Sequence, residues 1–329
     1  MSGVRTGDHF ESLFEYAPIS LWEEDFSGIK KFLDRLRTQG VTNLEDYLDE
    51  HPEEIRSSIR QIRVMRVNRE TLKMFGATSE AELLDGLDRI FRDEMHVHFR
   101  AQLLALWNGE LEWTGESVNY RLDGEQLNIR LRWRVLPKYA SGWECALISI
   151  ENITLLKKAE EYLRYLGTHD VMTELYNRAY FEETLLELEA NRKDPIAVIV
   201  IDLNNLKPIN DRYGHQVGDK LIRRTAEVLK AGASEGHITA RIGGDEFVII
   251  MPGSDNTDSQ ELIERIQSLV AMNNKFYREL ELSLSLGAAV SEPGLSLEKV
   301  ISLADDEMYR DKGLYHRRRK EDHLNRSSQ

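Results

Sequence analysis

The sequence predicts an α+β protein of two modules: an N-terminal antiparallel sheet with helices, then a C-terminal central sheet flanked by helices. Three observations lead there. A chain of 329 residues is long enough for about two domains. Its 41% hydrophobic and 30% charged residues are those of an ordinary globular chain. The order of elements also changes near residue 150, from helices followed by strands to a regular alternation of helix and strand.

Within residues 1–150, "LWEEDFSG" precedes a charge-rich helical stretch over about 28–60, which leads into "IRVMRVNRETLKMFGATSEAELL". Three runs rich in β-formers follow, "EWTGESVNYRLDG", "EQLNIRLRWRVLP" and "WECALISIENI", and read as antiparallel strands. A linker helix is expected over 151–168. There Leu156, Ala159, Leu163 and Leu166 fall 3, 4 and 3 residues apart among charged neighbours. That seam suits a short two-stranded coiled coil and equally an amphipathic helix docked on its own domain.

The second module is expected over 169–320, with a tail at 321–329. Its elements alternate: helix "AYFEETLLELEANR", strand "IAVIVIDLNN", helix "GDKLIRRTAEVLKAGA", hairpin "ITARIGGDEFVIIMP", helix "DSQELIERIQSLVAMNNKF", strand "ELSLSLGAAV" and helix "SLEKVISLADDEMYRDKG". An all-apolar run such as "IAVIVI" implies a central strand covered on both faces. The run "HRRRK" reads as a solvated helix end.

The charge balance narrows the function. With 43 Lys and Arg against 57 Asp and Glu, the net charge is −14, which opposes nonspecific binding to nucleic acid or anionic membrane. A phosphate-bearing substrate would need a metal or a local basic pocket. The one cysteine, Cys145, lies in "ECALISI" and reads as a buried structural thiol, excluding an intrachain disulfide and suiting a reducing cytosol. The first residues lack the apolar core of a signal peptide, and no apolar run nears the ~18 residues of a membrane span. A cytoplasmic location is expected.

"RIGGDEFVII", residues 241–250, places Asp245 and Glu246 at the mouth of a buried strand, where unpaired charge is costly. Asp202 ends the strand "AVIVID". Singly, each acid suits a cap or a solvated turn. If the hairpin lies beside that strand, the three converge, repel and raise one another's pKa unless a cation neutralises them. Oxygen-only ligands favour Mg²⁺ or Mn²⁺. Between these segments, "NNLKPINDRYGHQVGD" reads as a loop entering a helix. Its Asn amides and Asp carboxylates match the donor and acceptor edge of guanine, although singly they would serve loop backbone.

"DLNNLKPINDRYGHQVGD", "ARIGGDEF" and "HDVMTELYNRAYF" together resemble the GGDEF-domain diguanylate cyclases of bacteria, over residues 169 to about 315. More loosely, "APISLWEEDFS", "VNRETLKMFGATSEAEL" and "ENITLLKKAEEYLRYL" are similar to a PAS sensor module, with 28–60 as an insertion. The resemblance implies a nucleotidyl-cyclase-like fold, GTP as substrate and a homodimer formed through the PAS module and linker helix. It implies that Asp202, the Leu203 carbonyl, Asp245 and Glu246 hold the metals, with Asp245 and Glu246 catalytic. Asn210 and Asp219 map to guanine contacts. Asn205, Leu206 and Lys312 map to phosphate contacts, His215 lies near the substrate, and Gly243 and Gly244 leave room for nucleotide. His169, Asp170, Asn177 and Arg178 map to the turn between linker and catalytic domain.

The departures are specific. A common third acid is Asn204, and a usual Gly is Glu174. After Lys312 the chain reads "GLYHRRR", so His316 or Arg317 stands where a second phosphate cation is usual. The family's inhibitory product site, Arg-x-x-Asp, is replaced by Ser234 to His237, leaving no such site. The PAS ligand stays unnamed, since His96 and His98 in "MHVHF" make no case for haem. The expected activity is Mg²⁺-dependent condensation of two GTP into cyclic di-GMP. The alternatives are a degenerate GTP-binding module acting through a protein partner, and a cyclase making another dinucleotide.

Overall fold

The computed structural model describes residues 7–92, 95–193 and 195–326. The chain divides into two compact units, Met1–Glu160 and Glu161–Gln329. The N-terminal unit runs α1 (Gly7–Glu15), β1 (Ser20–Asp25), α2 (Ser27–Thr38), α3 (Leu44–Glu50), α4 (Pro52–Ile59), β2 (Arg63–Val67), α5 (Arg69–Phe75), α6 (Glu80–Asp85), α7 (Leu87–Ile90), α8 (Met95–Trp107), β3 (Glu112–Tyr120), β4 (Gln126–Val135) and β5 (Ala146–Asn152). Its sheet is antiparallel in the order β2-β1-β5-β4-β3. The three runs read as strands are β3, β4 and β5. Sequence reading assigned neither β1 nor β2, because "SLWEED" and "RVMRV" are short and half charged.

Helices α2 to α4 fill the connection from β1 to β2, where the charge-rich helical stretch was expected. α2 buries Ile29, Phe32, Leu33 and Leu36, one apolar stripe at helical spacing. Asn68 ties helix to sheet: its Oδ1 accepts from the Leu21 N–H at 3.0 Å and from the Thr71 N–H at 3.0 Å, capping α5. Cys145 is a buried free thiol, as expected. The side chain of His96 lies outside the described residues.

The C-terminal unit contains most of α9 (Thr154–Thr168), followed by α10 (Arg178–Ala190), β6 (Ile196–Leu203), α11 (Leu206–Tyr213), α12 (His215–Gly232), β7 (Ile238–Arg241), β8 (Glu246–Pro252), α13 (Asn256–Phe276), β9 (Leu284–Val290) and α14 (Leu297–Arg326). No residue of α9 is buried, and its seam residues Leu156 and Leu163 are 45% and 66% exposed. The four strands are antiparallel in the order β7-β8-β6-β9. Every residue of β6 is buried. Ala197, Ile199 and Ile201 join one core with Leu221 of α12 and Ile266 of α13. Ile196, Val198 and Val200 join the other with Phe181 of α10 and Val300 of α14. The strand is apolar throughout because each face meets a helical layer.

The structure corrects the loop reading of "NNLKPINDRYGHQVGD". It is helical, as α11 and the first turn of α12. Two of the residues that suggested a loop stand at helix boundaries instead: Asn205 takes the left-handed conformation at φ 62° ahead of α11, and Gly214 at φ 85° separates α11 from α12. α14 continues to Arg326, so the helix enters the stretch expected as a tail.

Gly287 of β9 lets α14 approach backbone to backbone. A Cβ there would stand 2.1 Å from Met308 N and 2.3 Å from Ala304 O. Neither atom yields cheaply, so Gly287→Ala is expected to destabilise the C-terminal unit by about 1–3 kcal/mol or more. Urea melts of the variant and wild type check this; equal midpoints would show that the helix is not seated so closely.

Candidate functional site

The register of β6 builds the site. Asp202, at its carboxyl end, stands opposite Glu246 of β8 and Ser285 of β9. One residue on, the Leu203 N–H donates to the Asp245 carbonyl at 2.9 Å, fixing the hairpin end against the strand end. Asp202 is 5% exposed, Asp245 half-buried and Glu246 exposed. The Lys312 ammonium of α14 lies 2.7 Å from Asp202 Oδ1, as an ion pair without an aligned hydrogen bond. Burial pushes the Asp202 carboxyl above its ordinary pKa. Lys312 opposes that rise, and the charges of Asp245 and Asp305 add to it.

Among the described residues, no three Asp, Glu, His or Cys side chains converge as a metal cage. The donors present are the Asp202 and Asp245 carboxylates and the Leu203 carbonyl beside them. Hard oxygen donors with a buried, charge-coupled carboxylate fit Mg²⁺ or Mn²⁺, ions that keep open positions for phosphate oxygens. Asn204, where a third acid is common, does not face such an ion as a charge. It is 3% exposed, its Nδ2 donates to Ser285 Oγ at 3.0 Å and Ser283 Oγ at 3.2 Å, and its Oδ1 accepts from Ser285 Oγ at 3.1 Å.

Arg241 braces the hairpin, a role that sequence reading missed. Its Nε donates to the Gly243 carbonyl at 3.1 Å and its Nη2 to the Gly244 carbonyl at 2.8 Å. Its Nη1 reaches Asp170 Oδ1 at 3.1 Å and Oδ2 at 3.3 Å. Asp170 in turn accepts from the Thr173 N–H at 2.9 Å and hydroxyl at 2.6 Å. Burial pushes the Asp170 carboxyl up, but Thr173 and Arg241 more than offset it, so its pKa lies below the ordinary value. The signal was an Asp-x-x-Thr turn and an Arg ahead of two glycines; nothing local in sequence pairs residues so far apart. A Cβ on Gly243 would meet Glu246 Oε2 at 2.5 Å, whereas one on Gly244 would meet open space.

Asn210 lies on α11, and its Oδ1 is buried without a hydrogen-bond partner. It fits there because Gly218 of α12 has no side chain: a Cβ would stand 2.0 Å from that oxygen. Asp219, half-buried, follows on α12. His215, expected in a loop, is the exposed first residue of α12. Asn205 Nδ2 donates to the Tyr315 hydroxyl of α14, and Leu206 is buried at the start of α11. His316 and Arg317 are exposed on α14, four and five residues past Lys312.

The remaining motif residues hold the entry to the domain. The His169 ring lies 4.2 Å from Tyr165 and 4.8 Å from Tyr176, centroid to centroid. Asn177 caps α10 through the Tyr180 N–H at 3.0 Å, and Arg178 pairs with Glu182 at 2.8 Å. Ser234 and His237 close a turn on each other: the Ser234 N–H donates to His237 Nδ1 at 3.3 Å, and the His237 N–H to the Ser234 carbonyl at 3.1 Å. Burial and nearby Arg265 lower the His237 pKa, consistent with a neutral, accepting ring.

Glu174 has φ 56°, which explains why Gly is usual there. Its ion pair with Lys230 at 3.1 Å is exposed and worth at most ~1 kcal/mol. Relief of the left-handed strain outweighs that loss, so Glu174→Gly is expected to stabilise the C-terminal unit by about 0.5–1 kcal/mol. A lower melting temperature in the variant would contradict this reading.

Residues 167–318 match the family model described as diguanylate cyclase, GGDEF domain. The chain is 34% identical over 168 residues to the diguanylate cyclase DosC of Escherichia coli (strain K12), covering 48% of this chain and 36% of DosC. It is 30% identical over 191 residues to the diguanylate cyclase DgcS of Shewanella oneidensis, covering 56% of this chain and 64% of DgcS. The match thus spans less than two thirds of either relative. The structure of the coiled coil and GGDEF domain of DgcB from Caulobacter crescentus, in complex with c-di-GMP, shares 30% identity, 49% of this chain and 88% of that chain, with a TM-score of 0.44. From its motifs and this match, the stretch 167–318 is a GGDEF domain.

Proposed function

We propose that the C-terminal unit is a diguanylate cyclase that condenses two GTP into cyclic di-GMP and two pyrophosphates, under control of a PAS-like N-terminal unit. The observation that carries the reading is the pairing of β6 with β8, which sets Asp202 opposite Glu246 and the Leu203 N–H on the Asp245 carbonyl. In this reading Asp202, Asp245 and the Leu203 carbonyl hold Mg²⁺ or Mn²⁺, with Glu246 beside them. Such an ion, when bound, neutralises phosphate charge and stabilises the attacking and leaving oxygens. Asp245 takes the proton from the 3′-OH. That oxygen attacks the α-phosphorus of the other nucleotide, the bond to the β-phosphate bridging oxygen breaks, and pyrophosphate leaves.

Asn210 Oδ1, buried without a protein partner, supports a role in reading a base N–H, and Asp219 supplies a second acceptor on the facing helix. Lys312 and the backbone amides at Asn205 and Leu206 meet the phosphates, with His316 or Arg317 as a second cation. Each C-terminal unit holds one GTP, so those of two copies must meet face to face. The exposed α9 seam supports pairing of two copies through that helix. The sensor role of the N-terminal unit is supported by its sheet of order β2-β1-β5-β4-β3, packed with helices beside a partly open cavity.

Asp245→Asn keeps the size of the side chain and removes its charge. Pyrophosphate release from GTP and Mg²⁺ is expected to fall at least ~100-fold, as for loss of a key electrostatic group, and Asp202→Asn should behave alike. Near-wild-type release in both variants would sink the proposal.

Product control is a second consequence. Ser234 and His237 offer neither a guanidinium nor a carboxylate, and losing even one charge-assisted contact weakens binding roughly ten- to a hundredfold. Cyclic di-GMP is therefore expected to cause no tight noncompetitive inhibition. Initial rates at saturating GTP with added product check this; submicromolar inhibition would show that another surface binds it.

A further inference from the structure

One acid of the N-terminal unit is placed where acids are costly. Glu24 of β1 has Val64 and Ala146 as its strand neighbours, both packed in the hydrophobic core. It lines a cavity of about 610 Å³, within the range of small-molecule sites, whose walls include Phe26, Phe91, Phe99, Trp133 and Ile148. Arg56, Arg60, Asp88 and Arg92 also line it, but all four are exposed; Glu24 is the one charged lining group that is not. The lining amide of Gln102 is already engaged, accepting from Trp133 Nε1 at 3.0 Å. Among the described residues, no hydrogen bond or ion pair reaches the Glu24 carboxyl, and burial pushes its pKa from 4.5 up to about 8.

We propose that this cavity binds a planar aromatic molecule carrying a basic nitrogen, with the protonated nitrogen paired to Glu24. Four aromatic walls favour a flat ring system, which buries apolar surface without needing further polar partners. An unpartnered acid in apolar surroundings stays protonated, and a cation restores its ionised form and gains a charge-assisted hydrogen bond. A neutral ring gains only the burial, and an anion gives Glu24 no cation with which to form an ion pair. The proposal goes beyond the GTP reading and stands whether or not the C-terminal unit turns over GTP.

The test uses the full chain and three probes of similar size: 1-naphthylmethylamine, 1-methylnaphthalene and 1-naphthoate. Calorimetry, with quenching of tryptophan fluorescence alongside, should show the amine binding at least about tenfold more tightly than either other probe. Glu24→Gln should abolish that preference and raise the melting temperature of the protein without probe, because it removes a half-buried acid that has no partner. Val64→Phe, which places a ring in the cavity at the strand partner of Glu24, should weaken amine binding at least about tenfold, and it carries the test if the Gln variant fails to fold. Absent amine binding, equal affinities, tightest binding of 1-naphthoate, a preference that survives Glu24→Gln, or undiminished amine binding in Val64→Phe would each overturn the proposal.

Discussion

The candidate site depends on the register of β6 between β8 and β9. A strand with alternating faces fixes its own register, because a one-residue slip turns its apolar side to water. β6 has no such protection: all eight of its residues are buried, and Ile, Val or Ala would satisfy either core. The register is held instead by particular neighbours. Gly287 stands opposite Val200 and meets the backbone of α14, and a slip of β9 would bring Leu286 or Ala288 there, with a side chain where none fits. At the other edge, the Leu203 N–H closes on the Asp245 carbonyl, and Arg241 ties both glycine carbonyls of the turn to Asp170. Packing and polar bracing together place Asp202 next to the hairpin acids.

The same contacts set the electrostatics. The close seating of α14 at Gly287 brings Lys312 to 2.7 Å from Asp202, so the one buried acid of the site carries its own counter-charge. Burial and the neighbouring acids pull the carboxyl toward protonation while Lys312 pulls it toward ionisation. A divalent cation and a phosphate would satisfy both partners of this pair. Asn204 fits the same logic: a third acid two residues past Asp202 would have no cation of its own, and the amide is absorbed by Ser283 and Ser285.

Much of this was legible before any coordinate. The apolar run "AVIVID" announced a doubly covered strand, and the glycines and acids of "RIGGDEF" announced a turn with chemistry at its edge. The helical character of 206–217 was not legible, because Asn, Asp and Gly favour loops and helix ends alike, and only tertiary packing decides between them. The brace from Arg241 to Asp170 joins residues 71 apart, and no periodicity reports such a contact. β1 and β2 were missed because edge-like charge masks strand pattern. In β1, the inward placement of Glu24 breaks the alternation that would have revealed the strand.

The central claim is that this arrangement joins two GTP molecules. The most direct measurement is a mass spectrum of the products formed when the purified chain is incubated with GTP and Mg²⁺, with pyrophosphate counted alongside. Cyclic di-GMP with two pyrophosphates for each molecule formed is the predicted result. A linear dinucleotide as the end product, a different cyclic product, or GTP bound without any pyrophosphate released would contradict it.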